Sequence, residues 1–406
     1  MDASRQLSGE ALATALRDSR KHTLQRVNDL NDAQWSPAAQ IGINPIAWEL
    51  AHIAWFAEFW ILRGPHHRDA QGLAHAAHAP RFAGPDALLD SARMAHPRRW
   101  AETLPTREGL DAMLQSQLEA CIGAIPRRAH SANPTGNPTG NPPDDALYFH
   151  HLALFHEDMH GEAFCWMRAA LGYPAPTDVA LPTVPQRELL TVPGASVRLG
   201  YNVGDPGFAF DNECPSTAVL LQTFDIDSAP VTGQDFARFV DADGYNAPQF
   251  WPSEAGVWRA QSGKEHPQRW RHTAHTGWEM RWFDQWLPLA PHAPALHLNA
   301  FEAEAYCLWA GRRLPRAAEW EHAALTHPGF RWGRSVWEWT ADPFNPYAGF
   351  MPGPYQEYSQ PWFGGDHREL RGGTFATHDR MHNPRYRNFF QPQRSDVFAG
   401  FRTVAL

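Results

Sequence analysis

Phe155-His156-Glu157-Asp158-Met159-His160-Gly161-Glu162 is the stretch that decides how this chain is read. On a helix, side chains at i and i+4 lie one above the other on one face. Two imidazoles so spaced can grip one metal ion. A third histidine, His52, sits in Ala51-His52-Ile53-Ala54-Trp55-Phe56, a second apolar helical segment. If the two helices pack together, three neutral nitrogens meet in a bundle core, where metal sites are commonly built. His52, His156 and His160 are therefore the candidate metal ligands.

Working outward, residues 9–30 read as an amphipathic helix, with Ser8 as N-cap and Leu12, Leu16, Leu24 and Val27 as its apolar stripe. Asn44-Pro45 opens the helix that carries His52 and runs to about Leu62, with proline at the tolerated first position. Residues 63–106 are rich in Pro, His and Gly and read as irregular, apart from a short helix at 85–93. A third long helix covers 107–125 behind the cap-like Thr106. The tandem Asn-Pro-Thr-Gly repeat within 131–143 reads as a loop. A fourth helix starts near Asp144 or Asp145, carries both spaced histidines, and ends at Gly172-Tyr173-Pro174. Four helices joined by loops make a four-helix bundle over residues 1–173. Residues 174–190, with four prolines, read as a linker. Beyond 190 the texture shifts to Gly, Pro, Trp and short β-prone runs, with helices near 232–241 and 299–310. That pattern predicts an irregular α+β domain over 191–406, so the fold class is multidomain α and α+β.

Composition narrows the function classes. A chain of 406 residues exceeds a typical single core, which agrees with two domains. The formal net charge of −9 argues against nucleic acid or anionic membranes as partners. Cys121, Cys165, Cys214 and Cys307 are scattered, without a Cys-x-x-Cys pair, and read as reduced thiols rather than a disulfide framework. The N-terminus lacks a signal-like apolar run, and there is no uninterrupted apolar stretch of about 18 residues. A cytoplasmic protein is the expectation. The 18 Trp and 22 His supply core surface, cation-binding faces and metal ligands.

Five ordered motifs mark the second half. They are Phe224-Asp225-Ile226-Asp227 with Gly244-Tyr245, Phe301 to Pro315 running on to Glu319-Trp320-Glu321, Val336-Trp337-Glu338-Trp339-Thr340, Leu370-Arg371-Gly372-Gly373, and Gly400-Phe401-Arg402. Together they resemble the sulfatase-modifying-factor fold, the formylglycine-generating-enzyme and C-type-lectin-like domain. A fold alone does not set chemistry. Formylglycine generation needs a cysteine pair near the C-terminus, and this chain has no cysteine after Cys307. The first half resembles the DinB-like four-helix bundle, whose metal is held by three histidines.

That pair of domains resembles the sulfoxide synthases of ergothioneine and ovothiol biosynthesis and their relative selenoneine synthase, and Tyr386-Arg387-Asn388-Phe389-Phe390 adds to the match. The resemblance implies an enzyme in which Fe(II), held by His52, His156 and His160, uses O2 to join sulfur or selenium to the imidazole carbon of hercynine. It places the site where the two domains meet. Ergothioneine-type enzymes usually read H-E-Q-Q-H-Q-E where this chain has H-E-D-M-H-G-E, so Met159 stands where a polar residue would face the substrate. The segment Asp90–Trp100 also departs from the usual region for holding γ-glutamylcysteine. Both departures favour selenoneine synthase and a selenosugar donor, with γ-glutamylcysteine or cysteine as the sulfur alternative. A tyrosine ahead of the Arg-Gly-Gly motif acts as proton donor in the family. Tyr358 is the best positional match and Tyr355 the second. Trp337, Trp339 and Phe390 are candidates for the trimethylammonium group, Arg387 and Asn388 for the substrate carboxylate, and Asp396 for a further substrate contact.

Three neutral imidazoles suit Fe(II) because they leave its charge intact and positions open for substrates and O2. Glu162 and Asp158 are the nearest acceptors for the ligands' other N–H groups. His156-Glu157-Asp158-Met159-His160 also satisfies the H-E-x-x-H pattern, with Glu157 as general base for zinc-bound water, although no third ligand follows at metzincin spacing. A non-catalytic binding module with a structural zinc is the alternative of another class. It is disfavoured because neither a cysteine nor a carboxylate closes the three-histidine set.

Overall fold

The computed structural model describes residues 3–40, 42–126 and 146–406. The Asn-Pro-Thr-Gly repeat and the expected helix start at Asp144 or Asp145 lie outside the described residues. Two compact units result. One comprises Met1–Met167 with Gly204–Phe210, the other Arg168–Val203 with Asp211–Leu406.

Four long helices carry the first unit. Helix α1, Gly9–Gln25, ends earlier than its apolar stripe suggests, and residues 26–29 continue as turns. Ser8 occupies the N-cap, but its hydroxyl makes no capping bond. Helix α2, Ile46–Leu62, has Pro45 at the N-cap and is buried around nearly its whole circumference, as expected of a helix apolar on every face. Helix α3, Arg107–Gly123, starts where Thr106 Oγ1 accepts the Gly109 N–H at 3.2 Å. Helix α4, Tyr148–Leu171, carries the two spaced histidines. Leu12 and Leu16 of α1 pack with Leu118 of α3 and Leu154 of α4, while Ala57, Cys121 and Ala153 join α2, α3 and α4. Gly161 lets α4 approach α1 closely, since a Cβ there would lie 3.3 Å from the His22 ring.

The 63–106 stretch is more ordered than its composition suggests. His66–Arg68 and Ala74–Ala76 form an antiparallel hairpin. Its turn is closed by Asp69 Oδ1, which accepts the N–H groups of Gln71 and Leu73. No apolar alternation announces this hairpin; a side-chain-mediated turn makes it. The short helix is Asp86–Leu89, and a 3₁₀ turn follows at His96–Trp100.

In the second unit, strands β1 (Leu189–Val192), β2 (Phe224–Asp227), β3 (Arg312–Arg313) and β8 (Val404–Ala405) form an antiparallel sheet in the order β3-β8-β2-β1. Strands β4 (Trp337–Pro343), β5 (Arg368–Gly372), β6 (Asn388–Phe390) and β7 (Ala399–Gly400) form a mixed sheet, β6-β5-β4-β7. The expected helices appear as α5, Gly233–Asp241, and α7, Ala300–Trp309. Two more accompany them: α6, Ser253–Ser262, and α8, Ala317–Thr326. Val192, Ile226, Trp320, Phe330 and Val404 share a core.

The expected linker is partly framework. Val184 N–H bonds the His292 carbonyl at 2.7 Å, and β1 pairs along β2. Residues 204–210 cluster with the first unit rather than with the second-half sequence around them. Phe208 and Phe210 bury themselves against Phe155, with ring centroids 5.2 and 6.1 Å away, and Phe208 N–H bonds the Arg5 carbonyl. Two phenylalanines in a polar, glycine-containing loop need apolar cover, and α4 supplies it.

The second-half motifs have plain structural reasons. Glu338 of β4 and Arg402, both fully buried, form an ion pair, with Arg402 Nη2 2.8 Å from Glu338 Oε1. The Trp320 indole N–H donates to the same carboxylate at 3.0 Å. Gly373, at φ +135°, lies where a Cβ would stand 2.5 Å from the His382 ring. Only glycine fits that backbone and that approach.

Candidate metal centre

Helix α2 presents Trp48, His52 and Trp55 along one face, at i, i+4 and i+7, to the helical turn Asp86–Leu89. Trp48 Nε1 donates to the Leu88 carbonyl, His52 Nδ1 to the Leu89 carbonyl at 2.7 Å, and Trp55 Nε1 to Asp86 Oδ1. A carbonyl can only accept. Nδ1 of His52 therefore carries the proton and Nε2 keeps its lone pair.

His156 and His160 sit one turn apart on α4, with their Nε2 atoms 3.2 Å apart. His52 joins them across the bundle, its ring centroid 5.2 Å from each. One nitrogen from each of the three lies within 4.8 Å of the others, the sole such grouping of three metal-binding side chains among the described residues. Phe56 stacks on His156 at 3.6 Å with the rings 5° from parallel, which fixes that imidazole's plane.

Burial, reinforced by the neighbouring His160, pushes His52 down to about 3. Burial with the same neighbours holds His156 well below its ordinary range. Both are neutral donors at physiological pH, which is the ligating form. The remaining nitrogen of His160, Nδ1, lies 2.7 Å from Glu49 Oε2. Burial alone would raise the Glu49 carboxyl, but the His160 imidazole outweighs it and holds the group down at about 2. Glu49 is therefore an anion paired to a ligand.

This corrects the expected acceptors. Asp158 instead takes the Ser19 hydroxyl at 2.7 Å, and Glu162 is half-buried further along α4. The partners that orient the ligands are the Glu49 carboxylate and the Leu89 carbonyl. Glu49 carried a signal that went unread, a lone carboxylate in the first turns of a helix otherwise apolar there. The Leu89 carbonyl had none, because any residue supplies one. Glu157 is spent on structure: the buried Arg20 grips it at 2.6 and 3.2 Å while also bonding Gln117 and the Leu114 carbonyl. A carboxylate so held is no general base, which removes the H-E-x-x-H reading.

The second unit sorts its candidates into three kinds. Tyr358 Oη lies 2.9 Å from Tyr386 Oη, and burial together with that phenol raises Tyr358 well above 10, so it stays protonated. Tyr355 stacks on Tyr358 at 6.3 Å, and Trp337, almost fully buried in β4, lies 5.6 Å from the Tyr386 ring. Tyr355, Tyr358, Tyr386 and Trp337 thus touch in succession. Arg387 is a strut: its donors go to Glu369 and to the carbonyls of Asn212 and Asn345, and its guanidinium lies 4.1 Å over the Tyr347 ring. That engagement corrects the expectation of a carboxylate-binding arginine. Asn388 Oδ1 accepts its neighbour's N–H, that of Phe389. Phe390 already has a cation 4.7 Å from its centroid, Arg394, which also pairs with Asp396 at 2.5 Å. Met159 is half-buried beside His160 on α4.

The sequence comparisons agree with this layout. Residues 15–164 match the DinB superfamily, and residues 179–335 and 332–405 match the sulfatase-modifying factor enzyme 1-like domain. The hercynine oxygenase of Mycolicibacterium thermoresistibile is 31% identical over 96% of this chain and 94% of its own length. The chain belongs to the hercynine oxygenase family. The hercynine oxygenase of Mycobacterium tuberculosis is 29% identical over 97% of this chain and 98% of its own. The formylglycine-generating enzyme of Streptomyces coelicolor is 29% identical over 57% of this chain and 95% of its own length. As a hercynine oxygenase family member the protein is an oxidative enzyme. Among the described residues no helix is long and apolar enough to cross a membrane.

Proposed function

We propose that the protein is an Fe(II)- and O2-dependent sulfoxide synthase that joins a thiol sulfur to the imidazole carbon between the nitrogens of hercynine. The convergence of His52, His156 and His160 carries this reading, together with near-full-length similarity to hercynine oxygenases. Imidazole nitrogen donors, with His52 held by the Leu89 carbonyl and His160 set against Glu49, suit Fe(II). Bound there, Fe(II) supplies an O2-reactive centre that can bring hercynine and the sulfur donor together. Overall, one O2 provides the sulfoxide oxygen and one water, which takes up the thiol hydrogen and the imidazole C–H hydrogen. Tyr358, protonated and backed by Tyr386, serves as proton donor through Oη. The Glu49 carboxylate and the Leu89 carbonyl hold ligand orientation.

The relatives support sulfur better than selenium. A selenosugar donor remains the second reading, favoured by Met159 standing beside His160 where sulfur-using enzymes of this type carry a polar residue. A mass-spectrometric product assay tests both: Fe(II)-loaded protein, hercynine and O2, with γ-glutamylcysteine and a selenosugar competing in one tube. A sulfoxide adduct establishes the sulfur reading, an adduct with the selenium isotope pattern replaces it, and no adduct of either kind overturns both.

A further inference from the structure

The geometry points to Arg99 as a positioning residue that braces two of the three metal ligands at once, an inference that rests on the metal-centre reading above. Two routes lead from its guanidinium. In the first, Arg99 Nη1 donates to Asn44 Oδ1 at 2.7 Å, Asn44 Nδ2 donates to Glu49 Oε1 at 2.5 Å, and Glu49 Oε2 meets His160 Nδ1 at 2.7 Å. In the second, the Arg99 guanidinium carbon lies 4.0 Å from the centroid of the Trp48 ring, whose other neighbour, 4.9 Å away and 8° from parallel, is the His52 imidazole.

The chemistry of each link fixes its direction. Glu49 only accepts and arginine only donates, so the Asn44 amide has one workable orientation, with its dipole running from guanidinium to carboxylate. A guanidinium at the far end stabilises the buried Glu49 anion, and that anion makes His160 a stronger donor than an imidazole resting on a carbonyl. The stack acts differently. The Trp48 indole and the His52 imidazole stack face to face, and the Arg99 cation against the indole holds Trp48, and through it His52, in place. Lysine keeps the charge but cannot supply the fork or the plane. The three histidines are thus unequal by construction: His160 is backed by a carboxylate, His52 by a carbonyl and an aromatic stack, and His156 is stacked on Phe56.

Arg99 is half-buried at the rim of a cavity of about 420 Å³, so methionine can replace it without entering the core. The test is Co(II) titration of the metal-free full-length protein, read by ligand-field absorbance, with circular-dichroism melts of the metal-free forms alongside. Glu49→Gln should weaken Co(II) binding by about 10–100-fold. Arg99→Met should weaken it by about 3–10-fold, shift the absorbance bands, and leave the metal-free melt unchanged, with Arg99→Lys recovering only part of the loss. Asn44→Leu cuts the first route while sparing the stack and should fall between Arg99→Met and wild type. Wild-type affinity and spectrum in both Arg99→Met and Asn44→Leu would overturn the inference alone, as would a lowered metal-free melt with unchanged affinity. If the wild-type protein takes up no Co(II), or His156→Ala binds it equally well, the metal-centre reading falls and this inference with it.

Discussion

The histidine cluster of the first unit and the core of the second handle buried polar groups in opposite ways. In the first, three imidazoles converge among aromatic rings with two of them held neutral, and the Glu49 carboxylate touches the group. In the second, buried charge is matched by buried charge: Arg402 with Glu338, Arg371 with Glu321 and Glu369, Arg387 with Glu369. A buried ion is tolerated only when paired and fully hydrogen-bonded, and these pairs tie together a chain with short strands and much coil. His52 and His156 are tolerated without that pairing because a buried imidazole can shed its proton. The first arrangement suits a cation from outside the chain, the second suits holding the chain itself.

The largest effect should come from breaking the first arrangement at its centre. His156→Ala should bring iron content, by plasma emission, and product, by mass spectrometry, below detection. A circular-dichroism spectrum like wild type would show that only the centre was lost. Full activity in this variant would remove the distinction between the units.

Breaking the second arrangement should cost stability instead. Arg402→Met strands the Glu338 carboxylate in the core and should destabilise the protein by about 3–5 kcal/mol in urea unfolding. Iron bound by the folded protein should not change. A loss of under about 1 kcal/mol would mean the pair is a spectator.

Tyr358→Phe probes the one place where the second unit is proposed to act chemically. The expected loss in kcat is about 100-fold or more, with KM for hercynine little changed. A purely structural tyrosine would lower the melting temperature and leave kcat of the folded enzyme alone.

The smallest effect is a pH dependence. Burial raises Glu302 from its ordinary range to about 7, even though the Tyr245 hydroxyl and the Asn299 N–H bond it. A carboxyl raised in the fold is favoured there in its protonated form. Its contribution to stability is complete below pH 4.5 and is lost as pH rises to about 7. Wild-type stability should fall across that window by about 1–3 kcal/mol, and Glu302→Gln, which keeps an acceptor for Asn299, should flatten the curve.

Much of the first unit was legible because local periodicity writes it. The spacing of His156 and His160, the apolar run around His52, the cap at Thr106 and the four long helices are all short-range facts. The second unit was legible mainly by family resemblance, since its strands are two to seven residues long and few alternate. What went unread shares one cause. Arg387 looks like a ligand-binding arginine until Glu369, Asn212 and Asn345 are seen around it. The hairpin at 66–76 depends on the Asp69 side chain, and residues 204–210 belong with α4 only because Phe208 and Phe210 find Phe155 there.

By itself, the sequence determined which residue types could bind a metal and that an i, i+4 pair would present two of them together, because helical geometry is local. The tertiary structure alone decided which acceptor each ligand would meet. Glu49 orients His160 and the Leu89 carbonyl orients His52 because α2 packs its Glu49 and His52 side chains against α4 and against a helical turn 37 residues further along the chain. Side-chain burial, pairing and orientation are properties of neighbours in space, and no window of sequence contains them.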